Sequence, residues 1–335
     1  MLVTSQALDV DAAQNQALLS LRQVLREHAF CIFIDPTLAD PLALDGALAD
    51  AYLPLKDQGK ASKQRLPYIH DNFDPAVQPY VLHISNQVDA ERLVSTSLRL
   101  ACEEASAQHT PDARTVCGWL VTDRGALDVA HWLAAQAKLI RPDNEAWYLR
   151  FWDPRVIWHL PRVLAPAHLA RLQPALSAWH FVDASLQLRC AMPLGGRAPS
   201  AQSVPLATPN GALFEPVQHL DAATWLRLQR IEAVNRVYAA FADAPLAPND
   251  ETAHRIEHQL ERSAASGFAG IDDAVTFACA AMASHPRFSE HPAVAAALAA
   301  SPSVAAAFGD FDDTFWAKLR EGSWLEQPAF RASAP

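Results

Sequence analysis

An α/β lobe with a mixed sheet, followed by a smaller all-α C-terminal lobe, is the fold class that the sequence predicts. Three observations carry it. Short apolar runs alternate with amphipathic helical stretches up to about residue 190. A stretch dense in Pro and Gly, without periodicity, then runs from Met192 to Pro216. Beyond it every periodic segment is helical. The 335 residues suit two domains at roughly 100–200 residues each. The expected divisions are an α/β domain over 1–192, a linker over 193–220, a helical domain over 221–322 and a tail over 323–335.

The elements follow in order. Asp11 to His28 carries Ala17, Leu18, Leu21, Val24 and Leu25 on one helical face. Phe30-Cys31-Ile32-Phe33-Ile34 is a continuous apolar run ended by Asp35-Pro36 and predicts a buried strand. Tyr80 to Ile84 predicts a second strand. The stripe Ala90, Leu93, Val94, Leu98, Ala101, Cys102 and Ala105 predicts a helix, with Cys102 as a packed core residue. Val116–Val121 predicts a third strand, Gly125–Ile140 a helix, Trp147–Trp152 a fourth strand and Arg155–Leu164 a helix. Strand-like stretches at Trp179–Val182 and Leu186–Ala191 close this half.

In the second half, Asp221 precedes a long helix with Ile231, Val234, Tyr238 and Phe241 on one face. Asn249 or Asp250 caps the next, whose inward residues are Ala253, Ile256, Leu260 and Ala264. Further helices are expected over Asp272–Ser284, Pro292–Ala300 and Asp312–Arg320.

Composition narrows the function. With 27 basic and 37 acidic residues the net charge is -10, so nucleic acid and anionic membranes are not expected partners. Twenty-four prolines against eleven glycines leave little material for glycine-built phosphate loops. Five widely separated cysteines without a C-x-x-C pattern fit a reducing cytoplasm, and neither a secretory leader nor a membrane span is expected. The sequence lacks G-x-G-x-x-G, G-x-x-x-x-G-K-[ST] and G-x-S-x-G. One metal-type pattern does occur. His254-Arg255-Ile256-Glu257-His258 matches H-x-x-E-H, in which two His bind zinc and Glu is the general base of a metal-dependent hydrolase. Glu261, one turn on, would be a third ligand. Against that stands the position of the pair beside the apolar stripe, where solvated residues ordinarily sit, and the expectation is no bound metal, no cofactor and no catalysis.

The most informative stretch is Trp147-Tyr148-Leu149-Arg150-Phe151-Trp152-Asp153-Pro154-Arg155-Val156-Ile157-Trp158-His159-Leu160. It reads as a strand running into a helix. Asp153 suits the N-cap, since its carboxylate can accept from the free amides of the first turn, and Pro154 suits the first helical position. Val156, Ile157, Leu160, Val163 and Leu164 form the expected buried stripe. Arg155, Trp158, His159 and Arg162 share the opposite face at three- and four-residue spacings. That face is either ordinary solvated surface or a protein-binding patch, Trp and Arg being the types in which binding energy concentrates.

The run Arg150-Phe151-Trp152-Asp153-Pro154-Arg155-Val156 resembles the signature of the bacterial type VI secretion effector adaptors, or effector chaperones, which carry domain of unknown function 4123. Phe30–Asp35 looks like the family's opening strand ending in Asp. Gln78-Pro79-Tyr80-Val81-Leu82 and Cys117-Gly118-Trp119-Leu120-Val121 are similar to two further strands of that family. The resemblance covers about residues 28–190. It implies a cytoplasmic binding protein that holds a secreted effector and helps mount it on the VgrG spike, with Arg150 to Arg155 as structural signature and no enzymatic activity.

Overall fold

The computed structural model describes residues 10–25, 28–67, 74–85, 90–106, 114–164, 176–183, 186–191, 218–241, 246 and 249–326. The chain divides into two compact units, residues 1–228 and 229–335. Most of the expected linker, 193–217, and all but the first four residues of the expected tail lie outside the described residues.

The first unit is built on a six-stranded sheet in the order β2-β3-β1-β4-β7-β8. The strands are β1 (Phe30–Ile34), β2 (Ala61–Arg65), β3 (Tyr80–Ile84), β4 (Val116–Val121), β7 (Ala178–Val182) and β8 (Leu188–Cys190). All its pairings are antiparallel. The parallel pairing that makes the unit's strands mixed lies in a small second sheet, in which β5 (Lys138–Ile140) pairs antiparallel with β6 (Ala146–Tyr148) and parallel with β9 (Gln218–His219).

Both faces of the large sheet are covered, which is why β1 reads as an unbroken apolar run instead of alternating. Phe30, Ile32 and Ile34 pack in one core with α1 (Val10–Leu25), α2 (Ala49–Asp57) and α3 (Glu91–Ser106), through Leu21, Leu25, Tyr52, Leu55, Leu93 and Leu98. Phe33, on the alternate side, meets Trp152 at 5.5 Å and Trp179 at 6.0 Å between ring centroids. Phe151 joins this second core against Trp179 and against Trp132 of α4 (Ala126–Ala137).

Gly118 places β4 against its neighbours. Its φ of +137° is open to glycine, and an added Cβ would run into the carbonyl oxygen of His180 on β7. Beside it the β1–β4 register shifts, so that Phe33 opposes Gly118 while Ile34 opposes Val116. The bulge leaves Cys117 as the extra residue, and its carbonyl accepts from Trp179 Nε1 at 3.2 Å.

The structure departs from three expected elements and adds one strand that was not expected. The helix expected over Gly125–Ile140 ends at Ala137, because Lys138–Ile140 leave it to pair with β6. The strand expected over Trp147–Trp152 is confined to Ala146–Tyr148, and Phe151-Trp152 form a turn. The helix expected over Arg155–Leu164 is two single turns, α5 (Pro154–Ile157) and α6 (Leu160–Val163). Pro161 supplies no N–H and its ring crowds the carbonyl of Ile157, so the ladder breaks there. β2, with the sequence Ala-Ser-Lys-Gln-Arg, was not expected as a strand at all.

The helix α7 (Ala222–Ala240) crosses the division between the units. The second unit is helical throughout its described residues, with α8 (Asp250–Ala265), α9 (Ile271–Ala283), α10 (Pro292–Ala300), α11 (Val304–Phe308) and α12 (Asp313–Glu321). Asn249 caps α8 by accepting from the Thr252 N–H, and Asp312 caps α12 through Phe315. One cluster joins Val234 and Val237 of α7 with Ile256, Leu260 and Ala278. A second gathers Phe277, Phe288, Val294, Val304, Leu319 and Trp324. No helix among the described residues is long and apolar enough to cross a membrane.

Candidate functional site

The stretch singled out in the sequence is organised around a carboxylate far away in the chain. Asp35, at the end of β1, is buried. Its Oδ2 accepts from Arg150 Nη2 at 2.6 Å, Arg150 Nε at 3.1 Å and Trp152 Nε1 at 2.7 Å. Its Oδ1 accepts from the N–H and hydroxyl of Thr37 at 3.1 and 2.5 Å. Five donors on one carboxylate satisfy a charge that would otherwise be very costly to remove from water. Arg150 and Trp152 of the signature thereby fasten the turn 149–153 to the central strand of the sheet.

Asp153 is the expected N-cap, accepting from the Arg155 N–H at 2.9 Å, with Pro154 at the first position of the helix. Its carboxylate also takes two bonds from the Arg155 side chain, Nε to Oδ1 at 3.1 Å and Nη2 to Oδ2 at 2.8 Å. Arg114 lies close to both. Burial, and after it the Arg155 cation, pulls its pKa down, against the attraction of Asp153 and Glu104. Burial pushes Glu104 up, opposed by the amides of Thr115 and Val116 that it accepts from at 2.9 and 3.4 Å.

The face Arg155/Trp158/His159/Arg162 differs from expectation. His159 is fully buried, not solvated, and its Nδ1 is met by the Arg162 guanidinium. Arg155 is spent on Asp153 within the chain. Trp158 and Arg162 remain partly exposed, the guanidinium lying 4.4 Å over the indole and the His159 ring at 4.6 Å from it. The break at Pro161 rotates α6 relative to a continuous helix, so the three- and four-residue spacing no longer keeps the four residues on one solvent side. Val156, expected within the buried stripe, is only half-buried, while Ile157, Leu160, Val163 and Leu164 are inside.

His254 and His258 are exposed on α8 and Glu257 is half-buried. Glu261 is paired with Arg230 at 2.6 Å. Among the described residues, no three His, Cys, Asp or Glu side chains gather as a metal site would require.

A second polar cluster escaped the sequence reading. Asp40 accepts from Tyr80 Oη at 2.5 Å, from the Leu42 N–H at 3.0 Å and from Lys63 Nζ at 3.4 Å, and the Lys63 ammonium sits 3.7 Å over the Tyr80 ring. Burial lowers the Lys63 pKa. Asp40 opposes this, while the cations of Arg65 and Lys56 add to it. Burial and the bond to Asp40 raise Tyr80 far above an ordinary phenol. Among the described residues, the hydroxyl of buried Tyr52 meets no hydrogen-bond partner. The four positions are spread over 40 residues and share no motif, so only the bracketing of a polar strand by β3 could have announced them.

Residues 42–171 match the family described as a domain of unknown function, DUF4123. The matched stretch begins just before α2 and holds the whole of Arg150–Val156. No curated protein matches the chain, and no solved structure does.

Proposed function

We propose that this chain is a type VI secretion effector adaptor, a cytoplasmic protein that binds a secreted effector and helps load it onto the VgrG spike without chemical turnover. The observation that carries the reading is the match of residues 42–171 to the same domain family that the Arg150–Val156 signature resembles. The geometry around the signature adds to it. Arg150, Trp152 and Asp153 are consumed in internal bonds that hold a turn rigid on the sheet, the arrangement of a scaffold. Next to that turn, Trp158 and Arg162 present a stacked aromatic–cation pair at the surface, a chemistry suited to protein contact.

The test is co-purification of the chain with the spike and toxin proteins encoded beside it. Wild type should bring down both. Trp158→Ala with Arg162→Ala should lose one of them while its circular dichroism is unchanged. Full recovery by the double variant removes this face from the interface, and recovery of neither partner by wild type removes the adaptor reading.

A further inference from the structure

β2 is the outermost strand on its side of the six-stranded sheet, paired only with β3 among the described residues. The direction of its backbone groups follows from two flanking bonds. The Ser85 N–H donates to the Lys60 carbonyl and the Leu66 N–H to the Pro79 carbonyl. Residues 60, 62, 64 and 66 therefore exchange bonds with β3, and the alternate residues Ala61, Lys63 and Arg65 turn their N–H and C=O groups outward. The outward Arg65 carbonyl is met by the Gln64 side chain at 3.1 Å.

The charge at this edge runs against that of the molecule. The chain has net charge -10, yet three of its five lysines, Lys56, Lys60 and Lys63, fall within eight residues and are followed by Arg65. Lys56 and Arg65 are exposed. Asp57 adjoins Lys56 in the sequence, and Asp40 is held by Tyr80, Leu42 and Lys63. Cationic edge strands ordinarily keep sheets from pairing with copies of themselves, since antiparallel self-pairing of β2 would set Lys63 and Arg65 against Lys63 and Arg65. The same charges favour an added strand of opposite sign.

The geometry points to the β2 edge as a docking site for an extended acidic segment of a partner protein, which adds as a further strand through the outward groups of Ala61, Lys63 and Arg65. This rests on the adaptor reading only for who the partner is; the edge chemistry stands on the strand itself. Affinity comes from the backbone ladder, and preference for acidic side chains comes from the exposed cations of Lys56 and Arg65, Lys63 being held by Asp40.

The probe is a fluorescein-labelled synthetic strand of alternating glutamate and valine, with its lysine-for-glutamate counterpart as control, titrated against the full chain by anisotropy. The acidic strand should bind and the basic one should not. Arg65→Pro, which deletes an outward N–H while sparing the ladder to β3, should bind about tenfold more weakly than Arg65→Ala. Hydrogen exchange on wild type should show the amides of Ala61, Lys63 and Arg65 slowing when the acidic strand is bound, a readout independent of how the proline variant folds. Absence of binding, equal binding of the basic strand, unchanged exchange at those amides, or a dimer assembled through β2 each overturns the proposal. If spike and effector co-purify with wild type and with Arg65→Pro equally, the edge is not their site and the adaptor reading survives. If neither co-purifies while the acidic strand binds, the adaptor reading fails and the edge site survives.

Discussion

Arg150 and Asp35, 115 residues apart, meet at 2.6 Å with the carboxylate buried and the guanidinium reaching partly to solvent. The pair closes the turn after the small sheet onto the end of β1. Trp152 reaches the same oxygen, so signature and opening strand form one polar lock between two aromatic and aliphatic cores.

Breaking that lock from the buried side is expected to be severe. Asp35→Ala leaves Arg150 and Trp152 Nε1 without their acceptor and should cost about 3 kcal/mol or more in urea unfolding. Arg150→Ala should cost less than Asp35→Ala, since the Thr37 and Trp152 donors still serve the carboxylate. The reverse order of the two variants would show that Arg150 acts elsewhere.

Gly118→Ala should be destabilising in spite of its small size. The backbone sits at φ +137° and the new methyl meets the His180 carbonyl and the Trp179 indole, so a loss of at least about 2 kcal/mol is expected by thermal melting. A neutral result would mean that β4 and β7 separate freely at the bulge.

His159→Ala should unfold the protein more readily than Arg162→Ala, because the imidazole is enclosed and the arginine is not. Loss of the buried ring is expected to cost about 2 kcal/mol, by analogy with large-to-small core changes. A denaturation midpoint equal to wild type would return His159 to the surface.

Stability should fall as pH drops from about 7 towards 5. Burial lowers the pKa of His83, His180, His285 and His291, so each is more easily protonated in the unfolded chain. For a lowered histidine the stabilisation is complete above the unfolded value near pH ~6.5 and is lost as pH falls through it towards the folded one. Glu104, raised by burial, works in the opposite sense at the acid end of the window. His180→Gln should flatten the profile of the urea midpoint between these limits. An identical slope would place the titration on other groups.

Much of the first unit was legible because its covered strands are apolar almost throughout, His83 of β3 being the exception. Phe30–Ile34, Tyr80–Ile84 and Val116–Val121 announced themselves, and so did the stripe of α3, whose residues Leu93, Val94, Leu98 and Cys102 are all inside. β2 could not be read, since an edge strand needs only one neighbour and tolerates Ser, Lys, Gln and Arg. The cap at Asp153 was legible from local chemistry. The partner of Arg150 was not, since nothing in the spacing of the signature points back to Asp35. The face of Arg155 to Arg162 failed as a face for a single reason: Pro161 broke the helix on which its periodicity depended.

The strand order also sets a timetable for synthesis. β1, innermost with β4, leaves the ribosome before either of its strand partners, and the carboxylate of Asp35 at its end has no counter-ion until Arg150 follows. At about 5–20 residues per second that interval lasts on the order of ten seconds. Thr37 alone among the eventual donors to Asp35 is present through that interval, and one rim of the apolar strand stays bare until Tyr80–Ile84 follows and the other until Val116–Val121 does.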